Sequence, residues 1–149
     1  MSMDEVRESS PDSMTDDQIR AFLMEQGVGI LGLADEAVPY LVPMSFGYDG
    51  NSTLYFVFLL FGTESRKEQL SERSRQARFL VYSAESAHEW RSASLVGRID
   101  AVPDDEWESL QDAMGNAWHP DVFSAANPMR GVEGYRFRID EWTGIQNTG

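Results

Sequence analysis

The sequence contains no cysteine. That excludes disulfides, thiolate nucleophiles, iron–sulfur clusters and zinc–thiolate sites. Its two histidines, His88 and His119, are too few for a histidine-rich metal centre. Lysine is almost missing as well: of 12 basic residues, Lys67 is the single lysine. Acids number 25, so the net charge is −13. A chain this anionic repels phosphate backbones, which argues against nucleic acid and against anionic membrane surfaces as partners. Long apolar runs are absent. The longest, Tyr55 to Phe61, falls far short of the roughly 20 residues that span a bilayer. No G-x-S-x-G, H-E-x-x-H, P-loop or EF-hand pattern occurs.

What is present suits one compact domain. The chain has 149 residues, 42% of them apolar, enough for a real core. Residues 1–14 are polar and acidic, with neither the basic start nor the apolar stretch of a signal peptide. They read as a disordered acidic tail ahead of a single domain over 15–149, in a soluble, cytoplasmic protein. A surface rich in Asp and Glu and poor in Lys resembles that of halophilic proteins. In molar salt the Debye length falls to about 3 Å, which screens such a shell.

Local patterns predict the elements. Thr15-Asp16-Asp17-Gln18 is a capping box, and Ile19, Phe22 and Leu23 give the helix behind it one apolar face, with Gly27 as its stop. Strands are predicted at Val28–Leu33, Val38–Phe46, Thr53–Leu60, Arg78–Ser83, Ser92–Ala101 and Glu133–Ile139. Asp49-Gly50-Asn51 marks a hairpin turn. Pro43 inside the second strand calls for a bulge or a sheet edge. Ser65 to Glu68 opens a short second helix. Pro103 and its following acids open a third, with Trp107, Leu110 and Met114 as its apolar stripe. Tight turns between most strands favour an antiparallel barrel with peripheral helices over a doubly wound sheet.

The charge map singles out one segment. Between Thr63 and Arg78 five bases face three acids, a local +2 within a protein of −13. Ser65, Arg66 and Lys67 stand where a helix begins. A hydroxyl, a guanidinium, an ammonium and free helix N–H groups together suit a phosphate; the alternative is a solvated helix start carrying surface ion pairs. Gly27-Val28-Gly29-Ile30-Leu31-Gly32 spells G-x-G-x-x-G but enters a strand instead of leaving one, so it reads as a helix stop and a tight strand. The acids of 100–112 read as a solvated helix face. Phe56 to Phe61 is apolar on both faces. A central strand under a helix would explain that, as would a subunit interface, which is the reading favoured.

Pro39 to Phe46, Tyr48-Asp49-Gly50, Thr53 to Phe56 and Ser65-Arg66-Lys67, in that order, resemble the pyridoxamine 5'-phosphate oxidase-like, FMN-binding split-barrel proteins, nearest to the nitroimidazole-resistance subgroup. Ala77 to Tyr82 and Ser94 to Arg98 continue the likeness. The resemblance implies a mainly β, six-stranded antiparallel split barrel acting as a homodimer with FMN at the subunit interface. It implies a phosphate clamp of Ser65, Arg66 and Lys67, a flavin-cradling strand of Val42, Pro43, Met44 and Ser45, and a neighbouring strand carrying Phe56 and Val57. Trp142, with Arg91 or Ser92, would reach the flavin from the partner subunit. The chain differs from the oxidase proper, which carries basic residues on the strand that here holds Val42 and Gly47, and in ending Ile139-Asp140-Glu141-Trp142-Thr143-Gly144 without its substrate-holding C-terminal segment.

Two functions follow from the likeness. One is an FMN-dependent oxidoreductase passing electrons from NAD(P)H or another donor to a small acceptor; the flavin supplies the chemistry, so no catalytic side-chain constellation is required. The other is a non-catalytic protein that binds flavin, deazaflavin or haem.

Overall fold

The computed structural model describes residues 12–59, 70, 76–115 and 132–148. The chain order is β1 (Asp12–Ser13), α1 (Asp16–Glu25), β2 (Val28–Leu33), β3 (Tyr40–Ser45), β4 (Gly47–Tyr48), β5 (Thr53–Leu59), β6 (Gln76–Ser86), β7 (Glu89–Ala101), a 3-10 turn (Asp104–Glu106), α2 (Trp107–Met114) and β8 (Val132–Thr148). The short helix predicted from Ser65 lies outside the described residues; Leu70, within that stretch, is helical and buried in the core.

The capping box forms as expected. The Thr15 hydroxyl accepts from the Gln18 amide at 3.2 Å, and the Gln18 side chain accepts from the Thr15 amide at 2.8 Å. Ile19, Phe22 and Leu23 turn inward. Gly27 ends α1 differently from the left-handed cap that glycine usually provides: Gln26 is already extended, and the Gly27 carbonyl accepts from the Phe46 amide at 2.9 Å. Three residues of the segment read as an acidic tail are described. Asp12 and Ser13 pair with β8 opposite Gln146 and Ile145, and Met14 is buried against Gly144.

All pairings are antiparallel, in the order β3-β2-β6-β7-β8-β5-β4. The two ends of that order, β3 and β4, are one stretch of chain bent at Phe46. β3 pairs with β2 at one end of the sheet and β4 with β5 at the other, so the sheet curls back on itself as a split barrel. With the bent strand counted once and the two-residue β1 set aside, the barrel has the six strands that the sequence predicts. Alternate residues of every strand point inward. Phe46, Phe56, Phe79 and Phe137 meet there with ring centroids 5.0–6.4 Å apart, and α1 adds Ile19, Phe22 and Leu23 to the same core.

The strand readings need two adjustments. β8 runs nine residues past Ile139, because Asp140 is accommodated as a bulge between the pairs Gly97↔Ile139 and Val96↔Glu141. The apolar outer face of β5 is covered within the chain: Tyr55 and Val57 pack under α2 with Val102, Trp107, Leu110, Ala113 and Met114. For those two residues the helix, and not a subunit interface, explains the two-faced pattern.

The acids of 100–112 are likewise more than a solvated face. Asp100 accepts from Arg136 at 3.0 and 3.2 Å and from Arg138 at 3.2 Å, while Glu106 pairs with Arg136 from the turn before α2. Burial disfavours the Asp100 charge, but the hydrogen bonds and charges of Arg136 and Arg138 outweigh it and hold the carboxyl below its ordinary value. Arg136 is raised in turn by its bonds to Asp100 and Glu106. A carboxyl lowered in the folded state contributes stability above its unfolded pKa, near 3.9, and loses it as pH falls through the folded value. Asp100→Asn is therefore expected to lower unfolding free energy at neutral pH by roughly 1–2 kcal/mol, between exposed-pair and buried-pair values. Denaturant titration across pH checks this: the deficit shrinks as the pH falls from the ordinary carboxyl value through the lowered Asp100 value, and a deficit that persists in acid would contradict the ion-pair account.

Candidate functional site

The bend that closes the barrel also splits it. β4 pairs with β5 at Leu54 and Tyr55 alone, so Phe56 to Leu59 have no strand on that side among the described residues. β3 pairs with β2 alone. Two free strand edges, Tyr40–Ser45 and Phe56–Leu59, therefore border a slit.

Proline fits this edge. Pro43 stands opposite Ile30 with no break in register, so the sheet edge accounts for it and no bulge is needed. A proline enters a ladder where its nitrogen faces away from the neighbour. Residues of the same parity, Leu41 and Ser45, then turn their amides to the open side. The slit thus carries main-chain donors alternating with a position that has none. Val42 and Met44 face the barrel interior, Met44 fully buried, while Pro43 and Ser45 face outward. Phe56 is 0% exposed among the core aromatics, so that position can offer a ligand its main chain but no ring; Val57 faces the other way, under α2. Ser65, Arg66 and Lys67 lie outside the described residues, six positions and more beyond the end of β5.

The candidates for reaching across a dimer are engaged within their own chain. The Trp142 indole N–H donates to Asp16 at 2.9 Å, and the Arg20 guanidinium lies 5.4 Å above its ring. Arg91 sits 5.1 Å over the Phe22 ring and 3.5 Å from Glu25. Both tie α1 to the barrel. Ser92 has its neighbours' opposite orientation and lies half-exposed on the outer face. His88 is exposed in the turn between β6 and β7; His119 lies outside the described residues. The glycines of the G-x-G-x-x-G lettering fall in the α1–β2 connection and in β2, as the strand reading requires.

Two buried phenols flank the closed end of the slit. Burial first, then the Asp49 charge, raises both Tyr48 and Tyr55 above the ordinary tyrosine value, so each stays protonated at neutral pH. The Tyr48 hydroxyl donates to the Asn51 carbonyl at 2.6 Å and so supports the turn.

A feature missed by sequence reasoning is the outer face of β3, β2, β6, β7 and the end of β8. Register places Leu41, Val28, Tyr82 and Ile145 there together, 65%, 48%, 56% and 44% exposed. Pro43, Ile30, Leu80 and Val96 share that side. No described helix covers it. The signal was present in Tyr40-Leu41-Val42-Pro43 and in Val28 to Leu31, which are apolar at both parities.

No described helix is long and apolar enough to cross a membrane, and no described cluster of His, Asp and Glu could hold a metal ion.

A family model, Pyridoxamine 5'-phosphate oxidase, matches residues 15–146. Among solved structures, an FAD-binding protein from Mesorhizobium loti is similar at 19% identity and a TM-score of 0.73, over 93% of this chain and 99% of that one. A candidate 5-nitroimidazole antibiotic resistance protein from Bacteroides thetaiotaomicron is similar at 23% identity and a TM-score of 0.72, over 91% and 87%. An FAD and heme binding protein from Mycobacterium smegmatis is similar at 16% identity and a TM-score of 0.70, over 93% and 74%. No curated protein matches the sequence.

Proposed function

The chain belongs to the pyridoxamine 5'-phosphate oxidase family, and on that premise we propose that it is an FMN-dependent oxidoreductase. It binds FMN at the slit, works as a homodimer, and passes electrons from a reduced donor such as NADH or NADPH to a small acceptor. The observation that carries this reading is the slit itself: an edge strand with outward amides at Leu41 and Ser45 faces a second free edge at Phe56–Leu59.

The residues fit the group. When bound, the flavin supplies the two-electron chemistry. The chain's part is to hold and shield it. Main-chain N–H groups of β3 suit a ring edge that gains negative charge on reduction. Val42 and Met44 support that strand from inside and keep its position fixed. Ser65, Arg66 and Lys67 serve as the phosphate clamp, because two cations and a hydroxyl satisfy a dianion that the acidic remainder of the surface would repel.

Pyridoxamine phosphate is a poor fit as the substrate. A Cβ at position 47 would stand 2.3 Å from the Ala113 carbonyl oxygen, so the packing of α2 leaves no room for a side chain at this point of the strand on which the oxidase proper carries basic residues. A homodimer is supported by the large apolar side chains left exposed on the outer face, Tyr82 and Ile145 among them. The acidic, lysine-poor shell fits a protein that works in molar salt, so measurements belong in molar KCl.

Purified protein is expected to show a flavin absorption spectrum, with FMN as the released ligand by mass spectrometry. Arg66→Ala combined with Lys67→Ala should weaken FMN binding by about 100-fold or more, two charge-assisted contacts being lost, with the circular dichroism unchanged. Unaltered affinity in a titration would place the phosphate elsewhere; released haem or deazaflavin would move the function to the binding-protein alternative. Tyr82→Glu combined with Ile145→Glu is expected to convert a dimer to a monomer in sedimentation runs. A wild-type monomer loaded with flavin, or a double variant that remains dimeric, would exclude this face as the interface.

A further inference from the structure

Among the described residues, Arg20, Arg91, Arg98, Arg136 and Arg138 each face a carboxylate. Arg78 does not. It is exposed on β6, and its guanidinium donates to the Ser94 hydroxyl at 2.7 Å. In a chain of −13, a cation without an acid is the exception. Glu141, exposed on β8, likewise faces no base among the described residues. Register sets both in one row: Arg78 stands opposite Val96 of β7, and Val96 stands opposite Glu141. Two strand spacings, about 10 Å, separate them.

The neighbouring rows repeat the layout. Leu80 and Thr143 flank Ser94, and Tyr82 and Ile145 flank Ser92. Alternation puts all of these on the outer side of the sheet. Val96, Ser94 and Ser92 thus form a spine of small side chains on β7, with unlike columns on its two sides.

We infer that two copies of this chain pack face to face on that spine, with a two-fold axis lying in the interface along β7. Such an axis exchanges the two columns. Each Arg78 then meets the partner's Glu141, and each Tyr82 meets the partner's Ile145. The face is complementary to itself in charge and in apolar surface at once. Small residues on the axis let the sheets close to the usual spacing of about 10 Å. An axis running across the strands would instead set Glu141 on the partner's Ile145 and bury a charge unpaired. Arg98 also lies on β7, but Asp140 holds it at 3.4 Å, so no bare like charges meet at the axis. The inference rests on the homodimer reading and adds to it the position of the axis and the pairs it makes.

Charge exchange tests the pairing. Dimerisation is measured by sedimentation in molar KCl, where an ion pair enclosed between sheets is screened far less than an exposed one. Arg78→Glu and Glu141→Arg, both at exposed positions, should each weaken the dimer about tenfold or more, because each brings like charges together. An equal mixture of the two single variants should restore wild-type affinity as a heterodimer, and so should the double variant as a homodimer. Circular dichroism should be unchanged throughout. Single variants that dimerise like the wild type, or a mixture no tighter than its components, would overturn the pairing. If Tyr82→Glu with Ile145→Glu still splits that dimer, the homodimer reading survives and this axis alone is lost. A wild-type monomer would refute the homodimer itself and leave the face to another occupant.

Discussion

The structure depends on one strand doing two things. Between Tyr40 and Tyr48 the chain pairs with β2, bends at Phe46, and then pairs with β5. Six strands are thereby closed into a barrel, yet the closure lasts only two residues before the edges part. Phe46 fixes the bend: its ring packs edge-on to Phe79 at 5.3 Å, and its amide is held by the Gly27 carbonyl. Gly47 follows because α2 lies against its backbone too closely for any side chain. The slit is therefore a consequence of how the core packs and of where α2 sits, which gives a binding edge the rigidity of the barrel behind it.

Charge is organised around the same frame. In a protein of −13, each arginine has a marked effect. Arg136 and Arg138 gather Asp100 and Glu106 and lock the turn before α2 to the sheet. Arg20 and Arg91 lie on aromatic rings and hold α1 across the barrel end. These four are committed to structure. Arg66 and Lys67 fall in a locally positive segment of the sequence, which is the physical reason for proposing them as the clamp of an anionic ligand.

Much of this was legible in the residues. Thr15 with Gln18 announced α1, Asp49-Gly50-Asn51 announced the turn, where Gly50 takes φ of +86°, and the predicted strands fell on β3, β7 and the first half of β8. Pro43 announced a bulge or an edge; the register shows the edge, which borders the candidate site. What escaped depended on tertiary pairing. Asp140 looks like the end of a strand because a bulge breaks its alternation, and β8 resumes beyond it. Phe56's ring is a core residue because β5 turns it inward, a fact set by pairing with Tyr135 and not by the apolar run itself. The two-faced apolar pattern of β5 is met by α2, some fifty residues away, whereas the open apolar face arises where five short patterns converge.

The most direct test of the account is a crystal structure of the protein grown with FMN. The account predicts the isoalloxazine ring against the main chain of Leu41 to Ser45, facing the free edge of β5, with the ribityl phosphate at Ser65, Arg66 and Lys67. A flavin lodged anywhere else, with both free edges out of contact with it, would contradict the claim that the bend in this strand exists to make a flavin site.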